Sequence, residues 1–173
     1  MSSLAEAISG DLAGWSGLSG DLEPLALEAE LGVHWTPDPA PRSRAASAFT
    51  VLHGEGVDAW LRVGETEVTS LEFRPPESLD HAAVLAGLGE PDTVLRSNHF
   101  EVGAVVQEHV HAERGITVAV AEPFAEDRDE PWIVYVQLYR PMTAQAYVTT
   151  VGQSGDELRP YPRPPAARRP PPR

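Results

Sequence analysis

The spacing His109-x-His111-x-Glu113 is the first feature of this 173-residue chain that could do chemistry. On an extended strand, side chains two positions apart share a face. Both imidazoles could then reach one metal ion, with Glu113 as the third ligand of an open site. The same geometry would serve acid–base catalysis by a His–carboxylate pair, with His53 or His99 as other candidates. The plainer expectation is exposed or edge-strand histidines, because Glu113 falls where the chain should turn. A second group, Glu122, Glu126, Asp127, Asp129 and Glu130, forms an acidic loop. It lacks the Asp-x-Asp-x-Asp-Gly spacing and closing Glu of a calcium loop. It reads as a solvated hairpin loop or as an electrostatic contact for a basic partner.

Other chemistry is excluded outright. There is no cysteine, hence no disulfide, thiolate metal site or thiol nucleophile, and no lysine for a Schiff base or a phosphate-binding loop. Glycine-rich dinucleotide, nucleophile-elbow, P-loop and His-Glu-x-x-His signatures are all missing. No cofactor is expected, and an enzyme is the less favoured class.

Charge is unevenly placed. All 13 basic residues are Arg, and five of them fall in residues 158–173, which hold no acid. The remaining eight Arg face 26 acidic residues, a charge of −18. A field of that sign repels phosphates, so nucleic acid is not an expected partner. It steers basic proteins inward. Hydrophobic residues make up 42% of the chain, enough for a core. No apolar run approaches the roughly 18 residues of a membrane span. With no basic, apolar leader at its start, the chain is expected to be cytoplasmic and without membrane contact.

The elements that must position these groups can be read from periodicity. Ser3 and Glu6 form a capping box for a helix over 3–13, with Leu4, Ile8 and Leu12 on one face. A second helix starts at Asp21, tolerates Pro24 in its first turn and stops at Gly32. Residues 35–44 hold three prolines and read as a loop. Strands over 46–53, 57–63 and 67–73 are separated by Gly-rich turns, and Pro75-Pro76 closes the set. A helix over 79–88, capped by Ser78, ends at Gly89. Strands over 104–111, 115–121 and 131–139 follow, then a short helix over 143–151. Residues 158–173, rich in Arg and Pro, favour polyproline II and cannot fold by burial; they read as a disordered tail.

The order recurs. Leu31-Gly32 matches Leu88-Gly89, His53-x-Glu55 matches His111-x-Glu113, and the run Leu71 to Pro75 matches Gln137 to Pro141. These anchors predict an α+β fold of two tandem helix–three-strand units, 21–76 and 78–142, within one domain of residues 1–157. Three strands and their helices cannot cover both sheet faces alone. Side by side they would make one antiparallel sheet with helices on one face and an open opposite face. One conflict is visible: the anchors pair Phe73 with Tyr139, whereas alternation puts Phe73 inward with Leu71.

This plan resembles the tandem-repeat β-lactamase inhibitory protein family, over roughly 21–142, on element order and the Leu-Gly and Arg-Pro anchors. The resemblance implies a sheet used for protein contact. Family inhibition of secreted β-lactamases does not carry over, since an export signal and cysteines are missing. Alternation puts Asp58, Trp60 and Arg62 opposite Val57, Ala59, Leu61 and Val63, and puts Ile133, Tyr135, Gln137 and Tyr139 opposite Trp132, Val134, Val136 and Leu138. On the same reading His109 and His111 join the Trp/Tyr set. That composition suits an interface, although cross-strand packing would explain the aromatics equally.

The expected function is a non-enzymatic protein-binding module of immunity, inhibitory or adaptor type. It would use Trp60, Arg62, His109, His111, Tyr135, Gln137, Tyr139 and the loop acids Glu126, Asp127 and Asp129. The alternatives are an enzyme or small-molecule-binding accessory protein of a biosynthetic pathway, and an assembly subunit.

Overall fold

The computed structural model describes residues 2–38, 49–76, 79–97, 104–123 and 130–151. The expected acidic loop residues Glu126, Asp127 and Asp129, His99, and the segment 158–173 lie outside them.

The chain folds into an α+β arrangement around one eight-stranded antiparallel sheet. The strands are β1 (Thr36–Pro37), β2 (Phe49–His53), β3 (Val57–Arg62), β4 (Ser70–Phe73), β5 (Thr93–Ser97), β6 (Ala104–His111), β7 (Ile116–Pro123) and β8 (Trp132–Tyr139). Their spatial order is β1-β2-β3-β4-β8-β7-β6-β5, so two four-stranded meanders join through their last strands. At that seam Leu71 faces Leu138 and Ser70 faces Tyr139.

Four short helices complete the fold. Helix α1 (Leu4–Ile8) carries the Ser3–Glu6 capping box in full. Helix α2 (Pro24–Leu31) has Pro at its first position, where no amide partner is needed, and ends at Gly32 in the left-handed region. Helix α3 (His81–Leu88) begins later than expected. Asp80, not Ser78, is the capping residue, its carboxylate accepting from the Ala82 amide. Helix α4 (Ala144–Thr150) is capped by Thr143.

The first sheet face packs against α1, α2, α3 and the coil between α1 and α2. Val57, Ala59, Leu61, Leu71, Phe73, Ile116, Val118, Val120, Val136 and Leu138 meet Leu4, Leu12, Trp15, Leu27 and Leu88 there. Each buried Val or Leu contributes roughly 1.5–3 kcal/mol of transfer free energy. The Arg114 guanidinium clasps this layer, donating to the carbonyl oxygens of Ala13 (2.7 Å), Leu88 (2.9 Å) and Trp15 (3.2 Å). Beside it Gly115 has a positive φ of 62°, and a Cβ there would lie 2.1 Å from the Tyr139 carbonyl oxygen. Only glycine fits that turn.

Several expectations are corrected. Each meander has four strands rather than three, because β1 and β5 were not foreseen. The opposite face is not simply open, because α4 lies on it: Tyr147 and Val151 pack with Tyr139, Val110 and Leu95. A register shift between Ala119 and Val120 breaks the alternation in β8, so Ile133 joins the first face and Trp132 the second. Two of the three sequence anchors also point opposite ways. His53 pairs with Asp58 on the second face, and His111 pairs with Ile116 on the first. Phe73 faces Val136 and the helices, whereas Tyr139 faces Ser70 on the other side. The alternation, not the anchor match, is right about Phe73.

Candidate functional site

The second face divides into two ends. Cross-strand registers carry one row of side chains over it: Thr36, His53, Asp58, Glu72, Gln137, Thr117, Val110 and Thr93. A neighbouring row runs Val51, Trp60, Ser70 and Tyr139.

At the β5–β8 end the face is closed and holds a polar network in an apolar setting. Gln137 donates to the Ser70 hydroxyl (3.2 Å) and accepts from the Tyr147 hydroxyl (3.1 Å). The Tyr139 hydroxyl donates to the Ile116 carbonyl (3.1 Å) and bonds the Thr117 hydroxyl (2.9 Å). One step along β6, the Tyr135 hydroxyl donates to the Glu108 carboxyl. Glu108 and Tyr135 are 6% and 7% exposed. Burial pushes the Glu108 carboxyl above its ordinary range, so its neutral form is favoured, while the bond from Tyr135 works the other way. Burial likewise pushes the phenols of Tyr135, Tyr139 and Tyr147 up, so they stay protonated donors. This end could in principle hold and move a proton, yet its groups are turned on one another.

At the β1–β4 end the face is half-exposed. The Phe49 and Trp60 rings meet edge to face, with centroids 6.0 Å apart. The Arg62 guanidinium lies 5.8 Å from the Phe49 centroid. It also donates to the carbonyl oxygens of Thr149 and Thr150, fixing the end of α4 to β3. Trp60 has a buried indole N–H with no acceptor among the described residues. Around these aromatics sit carboxylates: Asp58 and Glu72 are directly paired across β3 and β4. His53 bonds Asp58 through Nδ1 at 2.8 Å and approaches Asp38 through Nε2 at 3.4 Å. The hydrogen bond it donates to the Asp58 carboxylate raises the imidazole's pKa above the usual histidine value, so its cation is favoured.

The sequence-derived candidates separate accordingly. Trp60 and Arg62 lie at the half-exposed end. Tyr135, Gln137 and Tyr139 share their face but are buried, which corrects their expected role as contact residues. His109 and His111 do share one side of β6, but it is the helix-facing side, with Val118 and Ile116. They therefore do not join the Trp/Tyr set. His111 is buried, and burial lowers the pKa of both imidazoles and favours the neutral ring. Glu113 sits in a single 3-10 turn, Ala112–Arg114, with its amide on Asp92. No group of three potential ligands for a metal ion occurs among the described residues.

Glu108 was missed. A carboxylate between Val106 and Val110 on an alternating strand was the available signal. Alternation set Asp58 beside Trp60, but Asp38 and Glu72 were missed, because only the fold brings their chain segments to that side.

No helix among the described residues is long and apolar enough to cross a membrane. In comparisons with known proteins, no family model, no curated protein and no solved structure matches the chain. Fold and site alone therefore carry the functional reading.

Proposed function

We propose that the chain is a non-enzymatic protein-binding module whose contact surface is the β1–β4 end of the second face. One observation carries this reading: a half-exposed Phe49–Trp60 pair stands on the antiparallel sheet with the carboxylate positions Asp58 and Glu72 in the next row. Aromatic anchors on a pre-formed surface are what binding hot spots use. The carboxylates, with a body charge of −18 outside residues 158–173, favour a basic partner. The cytoplasmic setting and the immunity, inhibitory or adaptor role belong to this proposal. What supports two tandem units is the order helix, then four strands, occurring twice, together with the Leu-Gly helix ends. The other two anchors, facing opposite sides, lend it no weight.

The enzyme alternative draws on Glu108 and Tyr135, a neutral acid beside a phenol. Their burial and mutual hydrogen bond suit a role in holding α4's side of the sheet better than contact with substrate.

The test is capture by the full chain, compared with Trp60→Ala and with Asp58→Asn/Glu72→Gln, folding being checked by circular dichroism. One stoichiometric protein held by the native chain and lost by both folded variants is the expected result. Equal retention by all three chains would sink the reading.

A further inference from the structure

The closed end of the second face holds one ionisable group in a place that suits only its neutral form. Glu108 lies between Val106 and Val110 on β6 and is almost fully buried. The Tyr135 hydroxyl is its only hydrogen-bond partner among the described residues. Leu95 stands opposite it on β5 and Ala119 on β7, with Tyr135 beyond on β8. Thr117, Ala121, Gln137 and Tyr139 flank that row, and Tyr147 comes down from α4. The three phenols among these stay protonated, because burial pushes them up. The basic side chains of β5 and β6 stand on the other face: Arg96 opposite Gln107, His109 opposite Val118 and His111 opposite Ile116. Arg62, on β3, is held by carbonyl oxygens of α4. Glu72 and Asp92 act on the phenols and, as acids, can only oppose a further negative charge. A carboxylate without a cation is costly in such a setting, whereas a neutral carboxyl is not.

The cover beside this carboxyl is lightly anchored. Tyr147 and Val151 of α4 pack on Leu95, the cross-strand neighbour of Glu108, and the Glu108 charge opposes ionisation of the Tyr147 phenol. Helix α4 has seven residues, well under the ~12–15 that an isolated helix needs in water. Its polar ties are few. The Met142 amide donates to the Ala112 carbonyl (2.9 Å), the Tyr147 hydroxyl to Gln137 (3.1 Å), and the Arg62 guanidinium to Thr149 and Thr150. The first-face core, by contrast, binds its helices to β3, β4, β7 and β8. Lifting α4 would therefore hydrate Glu108 and leave that core whole, a local opening and not a global one.

We infer that Glu108 is the latch of α4: protonated, it lets the helix close the β5–β8 end, and ionised, it drives the helix off and opens that end to solvent. Opening bares Leu95, Val110 and Tyr139, so that the whole second face becomes accessible. The inference needs no partner and does not rest on the reading of the β1–β4 end. With α4 off, the carboxyl regains its ordinary pKa near 4.5; with α4 on, burial holds it higher. Between those two values opening becomes up to about tenfold more favourable per pH unit, and above the higher one it levels off.

The experiment is amide hydrogen exchange of the full chain, followed by NMR from about pH 5 to about pH 8 and corrected for intrinsic rates. In the native chain the protection of 147–151 should fall about tenfold or more over that range, while that of 106–110 and 116–121 holds. Glu108→Gln keeps an acceptor for Tyr135 but cannot ionise, so its 147–151 protection should be flat. Arg62→Gln frees one end of α4; it should lower that protection at every pH and keep the native slope. In the native chain the Glu108 carboxyl 13C resonance should still report the protonated form at about pH 5.

Flat protection of 147–151 in the native chain would overturn the inference. An equal fall in 106–110 and 116–121 would overturn it by making the opening global. A slope that survives in Glu108→Gln would do so by assigning it to another group. A Glu108 resonance already at its ionised position at about pH 5 would overturn it without recourse to any variant.

Discussion

The two ends of the second sheet face follow the same strand alternation and have opposite fates. Toward β5–β8, Gln137, Thr117, Tyr139, Tyr147, Tyr135 and Glu108 are buried and bonded to one another or to backbone. Toward β1–β4, Phe49, Trp60, His53 and Asp58 stand half in solvent, and a buried indole N–H goes unmatched among the described residues. The difference lies in what α4 reaches. Its Tyr147 and Val151 seal one end, and its last carbonyls stop at Arg62. Polar residues at a closed end serve structure, because an unpaired buried group costs roughly 1–3 kcal/mol. Polar and aromatic residues at an open end are free to meet something else.

Substitutions can break or sharpen that contrast. The largest effect belongs to Tyr139→Ala, which empties a fully buried ring site and should cost about 3–5 kcal/mol in denaturant unfolding. A loss below about 1 kcal/mol would mean that the closed end is not closed. Next comes Arg62→Ala, which frees the end of α4 from β3. A loss of about 2 kcal/mol is expected, with faster amide exchange in 144–151. Trp60→Ala, at the half-exposed end, should cost only about 1 kcal/mol while abolishing partner capture. A cost equal to that of Tyr139→Ala would erase the distinction.

Glu108→Gln changes a slope. With a folded-state pKa above the ordinary carboxyl value, Glu108 contributes stability that is present below about 4.5 and lost as pH rises through the raised value. Gln keeps an acceptor for Tyr135 without that loss, so the variant should gain on the native chain as pH rises from 4.5, read by thermal unfolding across pH. The smallest effect is at His53. Its raised pKa makes the Asp58 pair stabilising below 6.5 and lost as pH rises through the folded value. His53→Gln should remove under about 1 kcal/mol at pH 6 and nothing resolvable at pH 9.

How legible all this was depends on the element. The Ser3–Glu6 box, the Leu-Gly helix ends and six of the eight strands stood out in the sequence, because local rules govern them. Strand β1 has two residues, one of them Pro37, too few to show a period. Strand β5 follows the Gly89 to Pro91 break and puts Val94 beside Leu95, so it shows no clean alternation. The register shift near Ala119 is invisible to any alternation rule, and it moved Ile133 and Trp132 to the wrong sides. Alternation did assign Trp60 and Arg62 correctly. It could not tell that α4 would cover Tyr139 and spare Trp60, since that depends on how a distant helix lands.

The meeting of β4 with β8 has a consequence for how the chain reaches its native state. Gln137 and Ser70, bonded across that seam, lie 67 positions apart, while every other strand contact except this one joins sequence neighbours. Hairpins form in microseconds, but closing so long a loop must await both meanders. The zippering of β4 to β8 is therefore expected to limit the folding rate, so that truncating Leu71 or Leu138 slows refolding.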